Sequence, residues 1–182
     1  MNEISKSSNG ILEMGCIKMK QKTVFLLCGV PASGKSTWAR NHMTPTTEWI
    51  SRDKVRFSIV REDEEYFSHE DEVFDTFIAY INQTLENPEV DTVFIDATHI
   101  TKGARRKVLS RIRKQNIAEL NCVWFDVSLD TCLARNHLRT GRERVPETAI
   151  ENMYKSKTYP SKIEEGFHTI FIVDENGIAK EV

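Results

Sequence analysis

A glycine-rich stretch near the start of the chain has the composition and spacing of a phosphate-binding loop. It follows the apolar, β-prone run at 23–28 and precedes a segment compatible with a helix. Glycines let the backbone turn tightly and approach a phosphate, while the loop amides and the start of the helix attract an anion. We therefore predict a nucleoside triphosphate site at Gly29, Val30, Pro31, Ala32, Ser33, Gly34, Lys35, Ser36 and Thr37.

Three side chains near this loop have the chemistry to bind phosphate and Mg²⁺. Lys35 places a positive charge on the β- and γ-phosphates, and Ser36 offers a hydroxyl to the metal. Asp96 ends the apolar run 92–96, and the carboxyl ends of parallel strands face the ligand in open α/β sheets. The sequence leaves two interpretations of Asp96 open: it holds a magnesium-bound water, or it is a turn residue that binds local backbone.

A second group of charged residues follows the short predicted strand 48–51. Asp53 is expected at the start of a helix, and Arg56 comes three residues later, so both project from one end of one helix face. Phosphoryl transfer to a hydroxyl requires a group that accepts the hydroxyl proton. We predict that Asp53 faces the loop and fills that role.

Arginines recur further along the chain in a helical pattern. Arg135, Arg139 and Arg142 are spaced i, i+4 and i+7, which places three guanidiniums along one helix face. A solvated basic helix end would explain this pattern, and the helix dipole would favour it. We prefer the interpretation of a lid whose arginines contact phosphates.

The acidic segment 62–75, His99 and the basic start of the predicted helix 102–115 have less specific interpretations. Eight of its fourteen positions are Asp or Glu, which is typical of a solvated face or mobile loop; repulsion of wrong substrates is the alternative. His99 is predicted to be a loop residue rather than a catalyst. The cations of the predicted helix 102–115 are expected to form mostly a solvated face, and one or two near its start, Arg105 or Arg106, could reach a substrate phosphate.

Composition and element order predict a soluble α/β protein. The chain has 182 residues, a net charge of −2 and no apolar run long enough to cross a membrane, and none of its four cysteines forms a Cys-x-x-Cys pair. The lack of a disulfide pattern among the cysteines favours a reducing compartment, the cytoplasm. Alternating strands and helices predict a P-loop kinase-like parallel sheet of about five strands, with helices on both faces and an arginine-bearing lid. We predict one domain at 22–182, preceded by a loosely held extension at 1–21.

The predicted site favours a kinase over a GTPase or motor ATPase. The chain contains no guanine-reading Asn-Lys-x-Asp motif, and Asp53 is a candidate acceptor of a hydroxyl proton. A binding module gated by a nucleotide remains a third possibility, although such a module has no need of an acceptor-facing base.

Several motifs, spread in the same order over about 24–156, resemble the phage-type polynucleotide 5′-hydroxyl kinases. In that family the loop after the third strand commonly reads Asp-Thr-Asn, whereas here it runs from Asp96 to His99. The family's 3′-phosphatase motif is also missing from this sequence. The matching stretches are Gly29 to Arg40, Ser51 to Arg56, Phe125 to Val127 with Arg135 and Arg139, Val145-Pro146, and Met153 to Ser156.

The resemblance implies an ATP- and Mg²⁺-dependent kinase that acts on a 5′-hydroxyl end of DNA or RNA. By position, Asp53 would be the general base and Arg56 would hold the neighbouring 3′-phosphate of the acceptor. Arg139 would stabilise the transferring phosphoryl group, and Arg135 would be a second lid contact. A nucleotide or small metabolite is the alternative acceptor, since the motifs do not fix the substrate.

Overall fold

Apolar runs along the chain form a six-stranded sheet in the computed structural model, which describes residues 20–182. Across the sheet the strands lie in the order β2-β3-β1-β4-β5-β6, and all neighbours are parallel except the final antiparallel pair. The strands are β1 (Lys22–Cys28), β2 (Thr47–Ser51), β3 (Thr92–Asp96), β4 (Ile117–Phe125), β5 (Thr169–Val173) and β6 (Ala179–Glu181).

Helices connect the parallel strands, as parallel neighbours require. Two short 3₁₀ turns, at Lys114–Asn116 and Gly141–Glu143, complete the regular structure of the described residues. The helices are α1 (Lys35–Asn41), α2 (Arg52–Ile59), α3 (Glu70–Glu86), α4 (Lys102–Leu109), α5 (Leu129–His137), α6 (Glu147–Lys155) and α7 (Lys162–Glu165).

The hydrophobic core lies around the central strands. Leu26, Ile95 and Val123, one from each of β1, β3 and β4, are completely buried. Helix α3 contacts β2 and β3 and buries an apolar stripe at helical spacing that includes Phe77 and Ile81. The loops at the carboxyl ends of these paired, buried strands therefore lie side by side.

The predicted fold class is confirmed, with differences at the ends of elements. The apolar run in the sequence predicts a strand at 121–127, whereas β4 begins at Ile117 and ends at Phe125. Helix α4 ends at Leu109 instead of continuing to 115, because the chain turns there to enter β4. Strand β6 was not predicted, since its three residues are all exposed and form no apolar run.

The described residues bear on two further expectations from the sequence. Almost all of the predicted extension 1–21 lies outside them, so its interpretation stays a prediction. Across the described part of the chain, every helix is too short or too polar to span a lipid bilayer.

Candidate active site

The glycine-rich loop joins β1 to α1 in the strand–loop–helix arrangement that the sequence predicts. Gly34 lies at the helix start with φ of 102°, a left-handed conformation that favours glycine. Gly29 is required by a close approach: a Cβ there would lie 2.6 Å from Ser33 Oγ and 2.9 Å from Phe125 Cβ. The two glycines therefore set the path of the loop.

Lys35 is buried and its ammonium lies against the loop itself. Nζ donates hydrogen bonds to the carbonyl oxygens of Gly29 (2.7 Å) and Val30 (2.9 Å). Burial lowers the pKa of Lys35, while the negative charges of Asp96 and Asp53 oppose that shift. The two carbonyl oxygens thus hold the lysine at the mouth of the loop, where a phosphate would compete for its donors.

Ser36 and Asp96 come together at the carboxyl ends of the parallel strands. Ser36 Oγ donates to Asp96 Oδ2 over 3.1 Å, and Trp49 Nε1 donates to the same oxygen over 3.1 Å. Burial raises the pKa of Asp96, and the charge of Lys35 opposes the rise. The carboxylate bonds to side chains from other elements, and no local backbone bond to it occurs within residues 20–182. A buried carboxylate beside a hydroxyl is an oxygen donor set that fits Mg²⁺.

Asp53 lies in the first turn of α2, directly after β2, and its side chain is 67% exposed. Arg56 Nη1 donates to Asp53 Oδ1 over 2.9 Å, so the structure brings together the two residues that the sequence pairs. The same oxygen accepts a hydrogen bond from the hydroxyl of Tyr66 over 3.0 Å. Asp53 therefore combines an accessible carboxylate with a fixed orientation.

Glu70 completes this cluster and was missed by sequence reasoning. Its Oε1 accepts from Arg56 Nε (3.0 Å) and Nη2 (2.6 Å), and its Oε2 accepts from Arg52 Nη2 (2.7 Å). Arg56 is only 6% exposed as a side chain. The expectation of a solvated or mobile acidic segment is therefore wrong for Glu70, because this residue neutralises two arginines.

Two of the three predicted lid arginines line one cleft with the loop. Arg135 donates to the carbonyl oxygens of Ser33 (3.4 Å) and Glu175 (2.7 Å), and Arg139 donates to that of Glu143 (3.4 Å). The cleft has a volume of about 480 Å³ and is bounded by α1, α5 and the turn between β5 and β6. Such a volume is ordinary for a small-molecule or cofactor site.

The third arginine does not continue the predicted row. Helix α5 ends at His137, so Arg139 and Arg142 both lie beyond it and the predicted row of three guanidiniums along one helix face does not form. Arg142 instead donates to the carbonyl oxygen of Val60 over 2.8 Å and lies over the ring of Phe57, with 4.8 Å from guanidinium carbon to centroid. It packs against the end of α2 rather than the phosphate loop.

The far wall of the cleft was also missed in the sequence. It consists of the turn 174–177, and the opposite side carries Trp38, whose ring stacks on His42 with centroids 4.0 Å apart. In the sequence, residues 174–177 indicate only a turn that closes the apolar run 169–173, since nothing in their composition links them to the loop. Their position follows from β5 lying next but one to β1 in the sheet.

Arg105 and His99 are both buried, and each contacts protein groups in the interior. Arg105 donates from Nε to Glu165 Oε1 over 2.8 Å, and both side chains are completely buried. The expectation that Arg105 reaches a substrate phosphate is therefore wrong. His99 Nδ1 lies 3.0 Å from the carbonyl oxygen of Leu27, and burial lowers the pKa of His99 to about 4.

Comparisons with known proteins agree with this architecture. A family model described as an AAA domain matches residues 24–160, whereas a search of curated proteins gave no match. The chain is similar to a structure of the Pnkp1/Rnl/Hen1 RNA repair complex, with a TM-score of 0.62 and 18% identity. That match covers 78% of this chain and 45% of the other, so the chain spans less than half of that protein.

Two further solved structures share the fold. A gluconokinase from Sinorhizobium meliloti 1021 has a TM-score of 0.55 and 17% identity, with 85% of this chain and 83% of that chain covered. A fungal RNA kinase has a TM-score of 0.54 and 12% identity, with 86% and 75% covered. At these identities the likeness concerns the fold alone.

Proposed function

Because this chain belongs to the AAA domain family and has a P-loop kinase-like fold, we propose that it is a kinase acting on nucleic acid ends. It transfers the γ-phosphoryl group of ATP to a 5′-hydroxyl of DNA or RNA. The observation that carries the proposal is Asp53, an exposed carboxylate at the same sheet edge as the loop, held by two hydrogen-bond donors. A protein that only binds a nucleotide has no use for such a group.

The nucleotide side of the site is formed by the loop and the cleft next to it. In this proposal the triphosphate lies on the loop amides and Lys35, and the rest of the nucleotide occupies the cleft beside Trp38. Arg139 neutralises charge on the transferring phosphoryl group, and Arg135 is a second contact. The site thereby gathers cations where negative charge is spread over the phosphoryl oxygens.

Ser36 and Asp96 are the residues that would hold Mg²⁺. Their oxygens lie 3.1 Å apart at the edge of the loop, and the carboxylate is desolvated, which favours a bound cation beside it. When bound, the metal supplies positive charge to the β- and γ-phosphate oxygens.

Asp53 acts as the general base on the acceptor. The acceptor oxygen forms a bond to the γ-phosphorus while the bond from that phosphorus to the β–γ bridging oxygen breaks, and ADP leaves. The hydroxyl proton passes to the carboxylate of Asp53. Arg56 releases Glu70 and binds instead the acceptor phosphate that lies beside the reacting hydroxyl.

A small-molecule acceptor is the second candidate, and the ion pairs of Arg56 favour it. This guanidinium already contacts the carboxylates of Asp53 and Glu70 and is almost fully buried. It therefore needs no acceptor phosphate to balance its charge. The same fold also occurs in the gluconokinase described above, a kinase with a different acceptor.

Labelled ATP and a panel of acceptors separate the candidates. The panel contains 5′-hydroxyl DNA and RNA oligonucleotides, nucleoside 3′-monophosphates, and sugars without phosphate. We expect label on the oligonucleotide ends, and 5′-phosphorylated oligonucleotides serve as the control because their ends are blocked. Transfer only to sugars would support the second candidate, and ATP binding without transfer to any acceptor would contradict both.

A further inference from the structure

The segment between α2 and α3 brings an aromatic side chain to the candidate base. Tyr66 lies in this connection, and its hydroxyl is 3.0 Å from Asp53 Oδ1. An ionised carboxylate can only accept, so the phenol is the donor. The acidic segment that the sequence leaves without a function thus delivers a hydrogen bond to the acceptor side of the site.

Tyr66 and Arg56 act on the same carboxylate oxygen. Arg56 Nη1 donates both to Asp53 Oδ1 over 2.9 Å and to the hydroxyl oxygen of Tyr66 over 3.1 Å. Three groups therefore form a closed set of hydrogen bonds around Oδ1. Within residues 20–182 no donor contacts Asp53 Oδ2, which leaves that oxygen available to an acceptor hydroxyl.

The ring of Tyr66 is itself fixed in place. The guanidinium carbon of Arg56 lies 4.6 Å from its centroid, and the rings of Phe57 and Phe67 meet it edge-on at 6.2 Å and 4.9 Å. Burial, together with the charge of Asp53, raises the pKa of Tyr66 to about 12, so the hydroxyl keeps its proton at neutral pH. The donor is therefore packed by three neighbouring side chains and protonated at neutral pH.

We propose that Tyr66 is a positioning residue for phosphoryl transfer: it anchors Oδ1 of Asp53 so that Oδ2 faces the acceptor. The proposal depends on the proposed function, because it gives Tyr66 its role through the base. Without the phenol, Asp53 keeps only Arg56 as a donor to Oδ1, and an exposed Asp side chain then samples other rotamers. Small losses of alignment reduce the rate of transfer rather than binding.

Tyr66→Phe removes only the hydroxyl and keeps the ring under Arg56. We expect kcat for 5′-hydroxyl oligonucleotides to fall by roughly tenfold to a hundredfold, while the KM values for ATP and acceptor change by less than about twofold. Tyr80→Phe is the matched control, since Tyr80 is exposed on α3 and makes no side-chain hydrogen bond within the described residues. An unchanged kcat in Tyr66→Phe, or a higher KM with kcat unchanged, would overturn the proposal.

Crystal structures of the wild type and of Tyr66→Phe give a readout that needs no acceptor. We expect one rotamer of Asp53 in the wild type and more than one in the variant. A single unchanged rotamer in the variant would overturn the positioning role even if no acceptor were found. Absence of transfer by the wild type, in contrast, would count against the proposed function and not against this geometry.

Discussion

Arg56 lies between two carboxylates, and its partners decide what the acceptor side of the site can bind. It donates to Glu70 through Nε and Nη2 and to Asp53 through Nη1. An acceptor phosphate would have to displace Glu70 from the arginine. Glu70 therefore competes for Arg56 with the acceptor phosphate that the resemblance assigns to this arginine.

We expect Glu70→Gln to lower the KM for acceptors that carry a phosphate next to the hydroxyl. The amide removes the negative charge but keeps an oxygen that accepts from Arg56. The arginine therefore stays in place, and its positive charge is no longer neutralised by residue 70. A change of about 1 kcal/mol, the net contribution of one ordinary hydrogen bond, corresponds to roughly fivefold in KM. Acceptors without phosphate should be unaffected.

Steady-state kinetics with a nucleoside 3′-monophosphate and the matching nucleoside measure this difference. Glu72→Gln is the control, since Glu72 belongs to the same helix turn but its side chain is 64% exposed and lies near His69 rather than the arginines. Equal changes for both acceptors in Glu70→Gln would show that Arg56 does not bind the acceptor phosphate.

His99 gives the free energy of unfolding a defined pH dependence. Burial lowers its pKa to about 4 in the folded protein, whereas the unfolded chain binds the proton near the ordinary value of about 6.5. The unfolded state therefore holds more protons between these values, and stability is lost as the pH falls through that window. At pH 5 the loss due to His99 is about 2 kcal/mol.

Denaturant unfolding at pH 7.5 and pH 5, for the wild type and His99→Asn, measures this contribution. Asn is suitable because His99 has φ of 42°, a left-handed conformation that Asn tolerates. The wild type should lose about 2 kcal/mol more than the variant between the two pH values. The same loss in both proteins would mean that His99 does not carry this dependence.

At the level of single residues, local spacing predicts part of the site and misses the rest. The pairing of Asp53 with Arg56 follows from their separation of three residues on one helix. Glu70 and Tyr66 reach the same cluster only because α3 packs beside α2. In the sequence Glu70 is one acidic residue among eight in its segment, and nothing local distinguishes it from its exposed neighbours.

At the level of elements, one buried ion pair fixes the short helix α7 to α4. Arg105 donates to both oxygens of Glu165, at 2.8 Å and 3.0 Å, and also to the carbonyl oxygens of His99 and Thr158. The pair links the loop after β3, helix α4 and the segment before β5. Sequence reasoning could not find it, because its partners are 60 residues apart and Arg105 resembles the solvated arginines around it.

Glu165→Gln tests this link. The substitution leaves the guanidinium of Arg105 completely buried without a counter-charge, so we expect the free energy of unfolding to fall by about 3–5 kcal/mol. Glu164→Gln is a matched control one residue away, since Glu164 is exposed and pairs with Lys102 at the surface. Chemical denaturation should show a large loss for the first variant and little for the second; equal losses would contradict the role of the buried pair.

At the scale of the whole molecule, the order of strands assembles the site. The order β2-β3-β1 places the residues after β2, the end of β3 and the loop after β1 side by side. Asp96 pairs in register with Ser51 of β2 and Leu27 of β1, so Asp53 and the phosphate loop flank it directly. The sequence predicts parallel strands from their alternation with helices, but not this order, which depends on how distant runs pack.

The central claim is that Asp53 accepts the proton of the incoming hydroxyl. Single-turnover transfer from ATP to a 5′-hydroxyl oligonucleotide, measured by rapid quench for the wild type and Asp53→Asn, tests it most directly. We expect a loss of roughly 10²- to 10⁴-fold in the rate of transfer, with the affinity for ATP unchanged because the loop is intact. Transfer by Asp53→Asn at the wild-type rate would contradict the account.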